Sequence, residues 1–245
     1  MSFPSSPPPT PAVVRRLAGA RPVRAVWVNE LGGVTYRVDS GAEFVKVAPA
    51  AAATDFADEA RRLRWATAYA AVPDVLGVGV DDGWAWLRTR GLPGLSAVHP
   101  RWLTAPRAAV RAIGAGLRTL HDSLPVQSCP FDWSAGSRLA HLTPTARARL
   151  GHPPPVDRLV VCHGDACAPN TLIDSDGNCC GHVDFGSLGV ADRWSDLAIA
   201  TLSLQWNYPG RQWETEFFAA YGARPDPTRL DYYRRLWDAE DAHPS

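Results

Sequence analysis

Two short clusters late in the chain restrict its fold more than any other part of the 245 residues. The first is His163-Gly164-Asp165, with Asn170 five residues after the aspartate. The second is Asp184-Phe185-Gly186, fourteen residues beyond Asn170. An apolar run, Leu-Val-Val-Cys over 159–162, leads into the first cluster. Two strand-like segments, 171–174 and 179–184, join it to the second through an Asp176-Gly177-Asn178 turn. The pattern is strand, polar loop and hairpin, and it returns a second carboxylate close to the first.

The rest of the chain divides by periodicity. Residues 24–30, 34–39 and 43–47 read as strands, with Gly32-Gly33 and Ser40-Gly41 in the turns between them. Residues 54–69 read as a helix with Phe56, Ala60 and Leu63 on one face and Thr54 or Asp55 as cap. Residues 75–80 and 84–89 form two further strands around Asp81-Asp82-Gly83. After the break at 90–94 the pattern turns helical. Residues 105–120 are amphipathic on Val110, Ile113, Leu117 and Leu120, and the chain from Arg193 onward is mostly helical. The expected fold is therefore α+β. A small antiparallel β lobe with one helix precedes a larger, mainly helical lobe, with a cleft between them. The expected division is a disordered proline-rich lead-in at 1–11, an N-terminal lobe at 12–90 and a C-terminal lobe at 91–245.

Composition excludes several partners. Lysine plus arginine and aspartate plus glutamate each total 25, so no net charge favours nucleic acid or an anionic membrane. The apolar runs are too short for a membrane span, and the first residues lack the basic and apolar regions of an export signal. A cytoplasmic monomer acting on a small molecule is expected. The five cysteines are odd in number, and Cys179 and Cys180 are adjacent. That spacing favours neither a disulfide framework nor a zinc site.

The clusters carry a specific chemistry. H-x-D-x-x-x-x-N followed by D-F-G is the residue set that phosphoryl transfer requires. Asp165 would orient an attacking hydroxyl and accept its proton. Asn170 and Asp184 would supply hard oxygen ligands to Mg²⁺. Such a site also needs a lysine on the third strand and a glutamate on the following helix. Twenty-four of the 25 basic residues are arginine, and the single lysine, Lys46, lies on the third predicted strand. Glu59 lies thirteen residues later on the predicted helix. Gly32 and Gly33 occupy the first hairpin turn, where backbone could close over phosphates. A surface pairing of Glu59 with Arg62 fits the helix almost as well.

With these residues in view, the chain resembles the aminoglycoside phosphotransferase family, notably the 3'-phosphotransferases and their streptomycin-modifying relatives. The likeness runs from Gly32 to Asp238. It is carried by FVKVAP, DEARRLRWA, LRTLHDSLPVQSCPFD, VVCHGDACAPNTLID and VDFGSLGVADRWSDLAIA. The resemblance implies a two-lobed protein-kinase-like fold and transfer of the γ-phosphate of ATP or GTP to an antibiotic hydroxyl. It assigns structural support of the catalytic loop to His163 and Asp196, the latter bracing it through backbone hydrogen bonds. It assigns adenine binding to 88–92, including Thr89, Arg90 and Leu92. Asp238, Glu240 and Asp241 loosely echo the family's acidic, substrate-binding terminus.

Two departures touch the acceptor. Ser187 stands where antibiotic kinases of this kind carry arginine, and residues 134–156 contain no acid but include Arg138, Arg147 and Arg149. Two alternatives therefore stay open: a kinase of a less cationic sugar, nucleoside or antibiotic, and a nucleotide-binding pseudokinase acting as a sensor.

Overall fold

The computed structural model describes residues 8–29, 32–52 and 55–241. The chain folds into two compact units, one formed by Met1–Ala68 with Val72–Leu92, the other by Tyr69–Ala71 with Pro93–Ser245.

The first unit is built on an antiparallel sheet of five strands in the order β1-β2-β3-β5-β4. Its strands are β1 (Val23–Val28), β2 (Val34–Val38), β3 (Glu43–Pro49), β4 (Val75–Asp81) and β5 (Trp84–Arg90). Side chains alternate between the two faces, as a pleated backbone requires. Val34, Tyr36, Val38, Val45 and Val47 form one buried face, covered by Val13, Val14 and Ala18 of helix α1 (Ala12–Ala18). The opposite face carries Thr35, Lys46 and Leu87 in cross-strand register, and α2 (Phe56–Ala66) packs against β4 and β5. Sequence patterning assigns no element to 12–23. A seven-residue helix without a capping side chain is too short for periodicity to register, and its burial against the sheet holds it. The 54–69 helix is shorter than expected. Asp55 caps it by accepting from the Asp58 N–H, whereas Thr54, like Glu30 of the first predicted strand, lies outside the described residues.

The second unit contains β6 (Leu95–Ser96), α3 (Pro100–Leu103), α4 (Pro106–Ser123), α5 (Ala135–Ala140), α6 (Pro144–Leu150), β7 (Leu159–Cys162), β8 (Thr171–Ile173), β9 (Cys179–His182), β10 (Gly189–Asp192), α7 (Trp194–Asn207), α8 (Glu214–Tyr221) and α9 (Pro227–Asp241). Strands β6, β8 and β9 form one small sheet, and β7 pairs with β10 in another. α7 is buried almost all round, with Asp196, Thr201 and Ser203 among its inward residues. A helix of that kind belongs at the centre of its unit. α9 packs along it and buries Leu230, Tyr233 and Leu236, while α4 buries Val110, Ile113 and Leu117 and packs on α8. Among the described residues no helix is long and apolar enough to cross a membrane.

Candidate active site

In the first unit, strand alternation turns Lys46 away from the valine face and towards α2. There its Nζ lies 2.7 Å from Glu59 Oε1. Glu59 is 5% exposed, so the pair sits in a medium where opposite charges hold each other firmly. At the first hairpin, Asn29 accepts from Gly33 N through Oδ1 at 2.6 Å and donates its own N–H to Gly33 O at 2.9 Å. A Cβ on Gly33 would stand 2.6 Å from the Asn29 side-chain amide, so a larger residue there would have to displace that amide from its bond to the Gly33 N–H. Along the strand expected to receive adenine, Thr89 is buried, Arg90 lies 3.5 Å from Asp74 and Leu92 is half-buried. Arg88 grips Glu43 with both Nε and Nη2, at 2.8 and 2.9 Å.

The second unit gathers the two sequence clusters. β7 ends at Cys162 and the 163–170 loop follows. The β8–β9 hairpin returns the chain so that Val183 N donates to Asn170 O at 3.0 Å. His163 is fully buried and joins both clusters. Its Nδ1 accepts from Asp165 N at 3.2 Å, and its Nε2 donates to Val183 O at 3.0 Å. These two bonds fix the Nε2–H tautomer. Its ring lies 4.5 Å from the buried Phe185 ring, centroid to centroid. Gly164 (φ +86°) cannot be replaced, since a Cβ there would lie 2.1 Å from Ser187 O. Asp184 also takes a positive φ, 71°, uncommon for a residue with a side chain.

Asn170 Nδ2 donates to both the carbonyl and Oδ2 of Asp165, each at 3.0 Å. This leaves the Asn170 side-chain oxygen as the group available to a cation. Asp165 Oδ1 is buried with no hydrogen-bond partner. Burial and the Asp184 charge push the Asp165 carboxyl above its usual range, while the Cys167 thiol, His163 and Asn170 pull it back. Two repelling carboxylates and an orphaned oxygen describe a site short of positive charge.

Asp196, at the start of α7, accepts from His163 N at 2.6 Å and Gly164 N at 3.0 Å. Burial pushes its carboxyl up, but the hydrogen bond and charge of His121, with the His163 N–H, prevail and hold it below the usual range. Two residues outside the two sequence clusters, His121 and Tyr221, extend this network. His121 Nε2 lies 2.9 Å from Asp196 Oδ2, and its Nδ1 lies 2.8 Å from the Tyr221 hydroxyl. The only sequence signal for them is polarity inside apolar helical stretches: His121 on the apolar face of α4, Tyr221 at the buried end of α8. His121, Cys162 and Asp196 have ligand atoms within 4.8 Å of one another. Both Asp196 oxygens are already engaged, which argues against a metal there. All five cysteines are free thiols.

Of the terminal acids, Glu240 is held by Arg138 at 2.9 and 2.6 Å through Nε and Nη2. Arg138 is itself buried and lies over the Trp133 ring at 4.8 Å. Asp238 is exposed, and the side chain of Asp241 lies outside the described residues.

The model of the phosphotransferase enzyme family (APH) matches residues 29–156 and 138–234. The aminoglycoside 3'-phosphotransferase of Streptomyces fradiae is 33% identical over 258 residues, covering 86% of this chain and 92% of that protein. The chain belongs to the phosphotransferase enzyme family. Solved structures of other phosphotransferases agree. The type VIII aminoglycoside-3'-phosphotransferase has a TM-score of 0.74 at 31% identity, covering 92% of this chain and 97% of the other. The aminoglycoside phosphotransferase APH(3'')-Id of Streptomyces rimosus, in complex with ADP and streptomycin, has a TM-score of 0.71 at 26% identity, covering 91% and 94%. The expected protein-kinase-like α+β fold is thus the observed one, and this phosphotransferase is an enzyme whose acceptor group is a hydroxyl.

Proposed function

We propose that this phosphotransferase uses Mg²⁺ and ATP or GTP to phosphorylate a hydroxyl of an aminoglycoside, in the manner of a resistance kinase. The observation that carries the reading is the Asp165 carboxylate, gripped by Asn170, repelled by Asp184 and left with one buried, unpartnered oxygen. An acceptor hydroxyl donating to that oxygen would satisfy it and begin to lose its proton. The donor set of Asn170 and Asp184 consists of hard oxygens and fits Mg²⁺. When bound, the ion neutralises charge on the phosphate oxygens. Lys46, fixed by Glu59, serves the α- and β-phosphates. Nucleotide use and an aminoglycoside acceptor are supported by the ADP and streptomycin bound to the Streptomyces rimosus relative. The protein is proposed to act as a monomer in the cytoplasm, a reducing compartment that suits five free thiols.

A second reading, a kinase of a less cationic acceptor, is favoured by the Arg138–Glu240 pair. That pair cancels an acid which a polycation would otherwise meet. One experiment separates the two readings. Mg²⁺-dependent nucleotide consumption is measured with streptomycin and 2-deoxystreptamine aminoglycosides beside neutral sugars and nucleosides. Turnover of an aminoglycoside supports the first reading; turnover of neutral acceptors alone replaces it with the second. Nucleotide binding without turnover of any acceptor would favour a pseudokinase.

A further inference from the structure

Besides Asp196, α7 presents a second residue to the 163–170 loop. Ser203 follows Asp196 by seven residues, two turns of helix, so both lie on one face about 10 Å apart along the axis. A serine or threonine inside a helix commonly turns its hydroxyl back onto a carbonyl one turn earlier. Thr201 does so, donating to Leu197 O and Ala198 O at 2.9 Å each. Ser203 does not. Its Oγ accepts from Ala168 N at 2.9 Å, outside the helix, and from Asn207 Nδ2 at 3.1 Å. Asn207 Nδ2 also donates to Ser203 O at 2.8 Å, which fixes the amide in place. Both acceptor positions of the hydroxyl are therefore filled, and Ser203 also interacts with the Cys167 thiol.

The position of this contact matters. Ala168 opens the tight turn that ends at Asn170, whose amide grips Asp165. Cys167 lies against the Asp165 carboxylate. Asp196 holds the loop's entrance at His163 and Gly164, and Ser203 hydrogen-bonds its exit, where the Ala168–Asn170 turn packs on α7. We propose that Ser203, backed by Asn207, is a positioning residue that fixes Asn170 and Cys167 around the base. This inference rests on the reading of Asp165 as that base.

The test uses the full chain with Ser203→Ala, Asn207→Ala, the double variant and Asp165→Ala. Two measurements are made: steady-state kinetics with ATP, Mg²⁺ and streptomycin, and amide hydrogen exchange across 163–171. Ser203→Ala should lower kcat by about 10²-fold, the loss that follows a misplacement near 1 Å. The KM for nucleotide should stay within about twofold, because binding is not what the contact serves. Exchange at Ala168 should accelerate. Asn207→Ala should lose less, and adding it to Ser203→Ala should lose nothing further, as expected of residues acting through one contact. A Ser203→Ala variant with parental kcat, beside an inactive Asp165→Ala, overturns the inference and leaves the base assignment standing. Losses that multiply in the double variant also overturn it. If Asp165→Ala keeps its turnover, or streptomycin is not phosphorylated, the base or the acceptor reading falls instead. Exchange at Ala168 then decides, and unchanged exchange in Ser203→Ala rejects the anchor.

Discussion

The carboxylates of the second unit fall into two populations. At the 163–170 loop, Asp196 is held by two backbone N–H groups and an imidazole, and Asp165 by an amide. Further along the chain the acids face guanidinium groups: Glu240 with Arg138, Glu214 with Arg234, Glu216 with Arg211 and Arg107, and Asp226 with Arg229. A backbone N–H or an amide orients a carboxylate without cancelling its charge, whereas an arginine cancels it. The difference teaches that Asp165, the proposed base, is held by an amide, while several acids that could attract a polycation are already paired with arginine.

The hardest test of the first population is Asp165→Ala. With the base gone, turnover should fall by about 10²–10⁴-fold, with nucleotide affinity nearly unchanged in a binding titration. A fully active variant would remove the loop from the chemistry. Lys46→Arg should lower kcat/KM for nucleotide by about 10–10²-fold, because the wide guanidinium cannot place one charge where a slim ammonium does. Parental steady-state constants would make the sole lysine incidental. Arg138→Leu probes the second population. It leaves Glu240 without its cation and should cost about 1–3 kcal/mol of stability in a denaturant titration. It should also lower the KM for a polycationic acceptor and not that for nucleotide. A KM unchanged for both would mean that Glu240 lies away from the acceptor.

The smallest effect concerns acid stability. Hydrogen bonds from Arg88 and Arg21 hold Glu43 at a pKa of about 2, against an ordinary 4.5. A depressed carboxylate stabilises the fold fully above the unfolded value and loses that contribution as pH falls through the folded one. The Tm advantage over Glu43→Gln should therefore be largest above pH 4.5 and close towards pH 2. A constant gap across that range would contradict the ion pairing.

The α+β class, the five strands of the first sheet and the contact between Lys46 and Glu59 were legible because each leaves a local or regularly spaced trace. A lone lysine on a strand and a glutamate thirteen residues later on a helix are readable as spacing. His121 and Tyr221 were not, since their partnership with Asp196 joins helices separated by up to a hundred residues. α1 was hidden by its shortness. The Arg138–Glu240 bond spans 102 positions, so composition alone showed an arginine-bearing segment without revealing which acid it takes.

The Lys46–Glu59 pair also makes the protein unusually simple to observe. Lys46 is the sole side-chain amine in the sequence. Isotopic labelling of lysine alone would therefore place one reporter in the whole molecule, at an ammonium held 2.7 Å from a buried carboxylate. Its resonance would register arrival of a phosphate without assignment of any other signal, and amine-directed reagents would find a single internal target whose protection measures occupancy.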